Sequence, residues 1–73
     1  MRVPLALLPE NSEGVIIEIL GGRGLVRRLL ELGFIPGERV KVLHSSPGPI
    51  LVSIKGSRIA LGRGTAMRII VDG

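Results

Sequence analysis

The chain is 73 residues long, contains no cysteine and only one aromatic residue, Phe34, and carries a formal charge of +4 from ten basic and six acidic side chains. These numbers exclude a disulfide framework, a zinc finger and thiolate chemistry, an aromatic-lined groove for proline-rich peptides, and a base-stacking site for single strands. What remains is one domain, residues 1–73, resting on an aliphatic core, because a chain this short buries only about 60 % of its unfolded surface.

In chain order, Pro4 to Leu8 is an apolar run whose Leu5 and Leu8 spacing suits one short helical turn, with Pro4 in its first position. The run is too short for a secretory signal, and no stretch approaches the ~20 apolar residues of a membrane span. The expected location is therefore cytoplasmic, with no membrane insertion. Pro9 to Gly14 is a polar turn. Val15 to Leu20 is a β-branched strand, with Ile16 and Leu20 opposing Val15, Ile17 and Ile19. Gly21-Gly22-Arg23-Gly24 interrupts it. Leu25 to Leu32 then changes period. Leu25, Leu29 and Leu32 fall on one helical face, which Val26 and Leu30 widen.

Gly33 stands where a left-handed glycine ends a helix. Pro36 and Gly37 fit the central positions of a type II turn. Arg39 to Ser45 is a second strand with Val40, Val42 and His44 on one face, and Ser46-Pro47-Gly48-Pro49 breaks it. Ile50 to Ile54 and Ser57 to Leu61 are a third and fourth strand joined by a Lys55-Gly56 hairpin. Gly62 to Ala66 is a connector with one helical turn, and Arg68 to Val71 is the fifth strand.

The expected fold is mainly β: a small SH3-like barrel of about five strands with one inserted helix. Barrel closure removes exposed strand edges. Several strands are apolar on both faces, and a barrel has one inside. The surplus needs a cover, either the helix or another molecule, which makes a homo-oligomer one expectation.

Catalysis is not expected. One histidine and six carboxylates are scattered along the chain, and no serine lies in a nucleophile motif. A catalytic pocket also needs about 300 Å³ or more, and a barrel packed with Val, Ile and Leu has little room. A resident metal is not expected either. His44 is the sole imidazole and the weak candidate ligand, with Glu10, Glu13, Glu38 or Asp72 as oxygen donors. One imidazole does not make a cluster. The Gly21–Gly24 segment has the strand-to-helix context of an anion loop. It lacks the Gly-Lys-Ser/Thr of a P-loop, so it reads as a turn. Arg27, Arg28, Arg58, Arg63 and Arg68 offer phosphate contacts to RNA or DNA, but without aromatics nucleic acid is the lesser expectation. The better surface is for a protein: Leu25, Arg28, Leu29 and Leu32 beside Phe34, an apolar strip rimmed by arginine. Leu29 is assigned to the core. Leu25 and Phe34 fit either core or anchor, and Gly33, Pro36 and Gly37 are architectural.

The run Arg28-Leu29-Leu30-Glu31-Leu32-Gly33-Phe34-Ile35-Pro36-Gly37 resembles the helix-to-turn motif of the FeoA family. The resemblance extends to the opening Leu5, Leu8 and Gly14-Val15-Ile16, and to the closing Ile59-Ala60-Leu61, Ala66 and Ile69-Ile70-Val71. It implies a small cytoplasmic SH3-like protein of ferrous iron uptake that acts alongside the membrane iron transporter FeoB and reaches the inner face of the membrane through it. The same fold serves as a domain of metal-dependent repressors, so a stand-alone relative of that domain is the alternative. The chain departs from the family at Gly62 to Ala66, where carboxylates are common, and at Glu10-Asn11, where glycine is. From the resemblance the expectation is a non-enzymatic accessory protein of iron homeostasis with no cofactor; family membership leaves transition-metal binding open.

Overall fold

Two tight corners set the central strands. In the computed structural model, which describes residues 1–45 and 47–73, Lys55 and Gly56 both have positive φ, 51° and 79°. That is the backbone of a two-residue hairpin whose twist matches its strands. It joins β4 (Ile50–Ile54) to β5 (Ser57–Leu61) in the register Ile54↔Ser57 through Ile50↔Leu61. Upstream lie β1 (Arg2–Pro4), β2 (Glu13–Ile19), the helix α1 (Arg23–Leu32) and β3 (Arg39–His44). Downstream come the single turn α2 (Arg63–Ala66) and β6 (Ile69–Asp72). The strands form one antiparallel sheet in the order β1-β6-β2-β3-β4-β5, wrapped around a common core as an SH3-like fold. Ser46, the first residue of the expected Ser46–Pro49 break, lies outside the described residues.

Six strands form rather than five. Arg2–Pro4 pairs with β6 as Arg2↔Asp72, Val3↔Val71 and Pro4↔Ile70. Three residues ending in proline show no alternation, and such a strand is tolerated only at an edge. The Met1 ammonium lies 2.6 Å from Asp72 and holds that carboxyl below its ordinary range. The apolar turn after it, Leu5–Leu7, is 3₁₀, closed by Leu8 N–H donating to the Leu5 carbonyl at 3.1 Å. Pro4 stands just before this turn rather than in its first position.

Two bulges reset which residues face inward. Between Ile16 and Glu18 the β2–β6 register slips, so Ile16 pairs with Val71 and Ile19 with Ile69. Both partners are buried. Ile17 is the extra residue, and the expected opposition of Ile16 to Ile19 is overturned: both turn toward the core, and Leu20 is exposed. Between Val42 and His44 the β3–β4 register slips likewise, with Val42 opposite Val52 and His44 opposite Leu51. His44 therefore leaves the face of Val40 and Val42 and is exposed. One added residue reverses the side-chain parity of the strand beyond it.

The core is wholly aliphatic apart from Phe34 and buries no polar residue among those described. Every strand except β1 contributes to it. The short turns Leu5–Leu8 and Arg63–Ala66 close one end with Leu5, Ala6, Leu8 and Ala66. Gly14 lets β2 cross β6 closely, because a Cβ there would lie 3.0 Å from the Val71 side chain. The closure expected of a barrel is not carried by hydrogen bonds: among the described residues no ladder joins β5 to β1, and the sheet keeps two edges.

Candidate functional site

The helix starts at Arg23, two residues earlier than periodicity suggests, because Gly22 serves as an extended N-cap. No side chain caps it, and its first turn contains no acidic residue. Gly33 ends it at φ 107°, its N–H donating to the Leu30 carbonyl at 3.0 Å while Phe34 N–H donates to Leu29. This is a Schellman-like stop. The next corner is the expected type II turn: Glu38 N–H reaches the Ile35 carbonyl at 2.9 Å, with Gly37 at φ 97°. Gly37 N–H and the Glu38 carbonyl both bond the backbone of Ile16. Helix and turn are thus fixed to β2 by main-chain bonds.

This attachment decides the fate of the expected docking strip. Phe34 is 0 % and Leu29 2 % exposed, so both belong to the core. That confirms the assignment of Leu29, resolves Phe34 as core, and removes both from the surface strip. Leu25 is half-buried against the core. Arg28 is exposed, as are Leu30 at 39 %, Leu32 at 46 % and Ile35 at 39 %.

The outward face of α1 differs from the expected strip. Arg23, Val26, Arg27 and Leu30, spaced i, i+3, i+4 and i+7, line a shallow open groove of about 420 Å³ together with Gly21. Val26 and Leu30 are its apolar lining and the two arginines its charged lining. Periodicity marks an apolar arc but not which part of the arc meets the barrel. The missed signal was its width: five apolar residues in a ten-residue helix, of which one is buried. Gly21, at φ 140°, lies against Leu25 and the stem of Arg68, and a Cβ there would come within 3.0 Å of Leu25. The glycine segment is accordingly a turn that brings the helix close. Arg27 and Glu31 form an exposed i,i+4 pair at 3.9 Å, an arrangement that contributes little. The groove lining includes no carboxylate, histidine or hydroxyl.

The candidate metal donors are dispersed. Glu10 Oε1 accepts the Ser45 N–H at 2.8 Å and lies 3.3 Å from His44 Nδ1. Glu13 faces Arg39 and Glu38 faces Lys55, each at 3.5 Å, and Asp72 faces the N-terminal ammonium. No three His, Asp or Glu converge among the described residues. His44 with Glu10 supplies two donors, where a tetrahedral site takes three or four from the protein. The arginines considered for phosphate contacts are carried by α1, β5, α2 and the residue before β6. Arg63 among them donates to the Ser45 carbonyl at 2.7 Å.

Residues 3–73 match the FeoA domain. A Methanocaldococcus jannaschii protein named for Fe(2+) transport, transport protein A, is 42 % identical over 69 residues, spanning 94 % of this chain and 84 % of that one. The crystal structure of an iron uptake regulatory protein, FeoA, superposes with a TM-score of 0.93 at 40 % identity and covers 99 % of this chain and 97 % of its own. The FeoA of Stenotrophomonas maltophilia, a prokaryotic SH3-domain protein solved with zinc, gives 0.84 at 35 % identity, covering 99 % and 89 %. A manganese-dependent transcriptional repressor gives 0.89 at 23 % identity, with this chain spanning 99 % of itself and 41 % of the repressor, which shows shared fold alone.

Proposed function

The chain belongs to the FeoA domain family, and on that footing we propose that it is a non-enzymatic cytoplasmic accessory protein of ferrous iron uptake that docks on a cytoplasmic part of a FeoB-type transporter. The observation that carries this reading is the outward face of α1. It brings the apolar Val26 and Leu30 together with Arg23 and Arg27 in one open groove. Apolar side chains together with arginine are the composition of a protein interface. A groove without carboxylate, histidine or hydroxyl lacks the groups for acid–base or nucleophilic work. No helix of the described residues is long and apolar enough to cross a membrane.

The test is a titration of the chain against the transporter's isolated cytoplasmic domains, followed by amide chemical shifts. Shifts confined to α1 and the Ile35–Glu38 turn are the expected result. Absence of binding, together with unimpaired iron uptake in a deletion strain, overturns the reading. Binding of RNA that maps to Arg58, Arg63 and Arg68 and falls steeply with salt would instead support nucleic-acid contact.

A further inference from the structure

The charged groups of the chain are unevenly shared. Of the six carboxylates, Glu10 faces His44, Glu13 faces Arg39, Glu38 faces Lys55 and Asp72 faces the Met1 ammonium. Glu18 is on β2, opposite Ile70. Glu31 is on α1, 3.9 Å from Arg27, with both side chains largely in water. None of the six lines the groove on α1, whereas Arg23 and Arg27 do. The first turn of α1 holds no acidic residue. Among the described residues, neither Arg23 nor Arg68 has a carboxylate partner. Arg68 comes to the same end of the groove: a Cβ at Gly21, which lines it, would lie 3.7 Å from the Arg68 Cδ and 3.8 Å from its Nη1.

On the reading that α1 is the docking face, on which this inference rests, we propose that the segment seated in its groove is acidic and amphipathic. Its apolar side chains lie against Val26 and Leu30, and its carboxylates meet Arg23 and Arg27. Residues three apart are neighbours on a helix surface. Each arginine therefore has an apolar neighbour, Val26 for Arg23 and Leu30 for Arg27. Glu31 falls on the other side of Arg27, away from Leu30, so the charge facing the groove is positive along its length. The two kinds of lining select the occupant between them. A phosphate backbone answers the arginines and leaves Val26 and Leu30 without an apolar contact. A wholly apolar segment covers Val26 and Leu30 but takes water from the guanidinium groups with no counter-charge in return, which opposes binding. A segment with carboxylates beside its apolar side chains meets both, and the arginine stems extend the apolar contact. Arg68 adds positive potential at the Gly21 end. Such charge pairs at the edge of a contact act mainly on specificity and on the rate of association.

The test is isothermal titration of the intact chain against the transporter's isolated cytoplasmic domains, as wild type, Arg23→Glu and Arg28→Glu, at low and at high salt. Both variants change the net charge equally, and both positions are exposed, but only Arg23 lines the groove. Arg23→Glu puts an acidic side chain in the first turn of α1, where it favours the helix, so weaker binding there is not lost folding. Arg23→Glu should weaken binding about tenfold or more, and Arg28→Glu less than about threefold. Wild-type affinity should fall as salt rises. Wild-type binding that Arg23→Glu leaves unchanged, or that both variants weaken equally, overturns the acidic segment and leaves docking through α1 standing. A wild-type chain that does not bind the domains overturns the docking reading, and the acidic segment with it. Binding instead to RNA or to phosphatidylserine vesicles, abolished by Arg23→Glu, assigns the groove to phosphate and likewise overturns the proposal.

Discussion

The barrel interior and the outer side of α1 use the same residue types and treat them in opposite ways. Inside, Val42, Val52, Ile50, Ile69 and Val71 reach zero exposure, and no polar residue joins them. On α1, Leu29 alone is buried, while Leu30 and Leu32 keep 39 % and 46 % of their surface in water. The barrel needs the helix only for Leu29, for the half-buried Leu25, and for the Phe34 that follows. Burial of one leucine is worth about 1.5–3 kcal/mol, so the outward leucines forgo a contribution the fold can do without. Apolar side chains that add little to folding yet line a groove mark a surface whose use lies outside the monomer.

Four substitutions sharpen that contrast, from the largest expected effect downward. Phe34→Ala removes the sole aromatic filler of a closed interior and should lower the unfolding free energy by about 3–5 kcal/mol in urea denaturation. Leu29→Ala should cost about 2–5 kcal/mol, and exchange of the α1 amides should quicken as the helix loses its anchor. Gly37→Ala forces an L residue to φ near 97° and should cost about 1–2 kcal/mol, with tightened solvent protection nowhere. Leu30→Asp should cost less, about 0.5–1.5 kcal/mol, from partial burial and an acidic residue in the last helical turn. If Leu30→Asp instead unfolds the chain as Leu29→Ala does, the distinction between the two sides of α1 fails.

Much of the architecture is legible in the residues. The β4–β5 hairpin follows from alternation around Lys55-Gly56, and the helix stop and type II turn follow from Gly33, Pro36 and Gly37, whose backbone angles few other residues adopt. What the residues conceal has physical reasons. Arg2–Pro4 is too short to show a period, and it becomes a strand only because β6 offers an edge. The bulge at Ile17 lies in a run that is apolar on both sides, so nothing in its composition reveals the parity change, whereas at Leu43 the alternation of Arg39–His44 breaks without saying which residue is the extra one. That change moved Ile19 inward and His44 outward. Closure of the sheet is a global property, and no local signal records that, among the described residues, β5 would have a ladder on one side only. At the candidate site, helical spacing indicated that α1 is apolar over a wide arc. The direction of the arc depended on where Phe34 and the Ile16 backbone hold the helix, which is tertiary information. Hence Leu29 and Phe34 left the expected strip, and Val26, Leu30, Arg23 and Arg27 form the groove.

The central claim is that the outward face of α1 serves a partner and not the fold. The most direct measurement sets two quantities for Leu30→Asp side by side: its unfolding free energy, and its affinity for the transporter's cytoplasmic domains. The account predicts a chain that still folds, with stability lowered by no more than about 1.5 kcal/mol, and affinity reduced about tenfold or more, as for a buried interface anchor. Wild-type affinity in a Leu30→Asp chain that folds normally would contradict it.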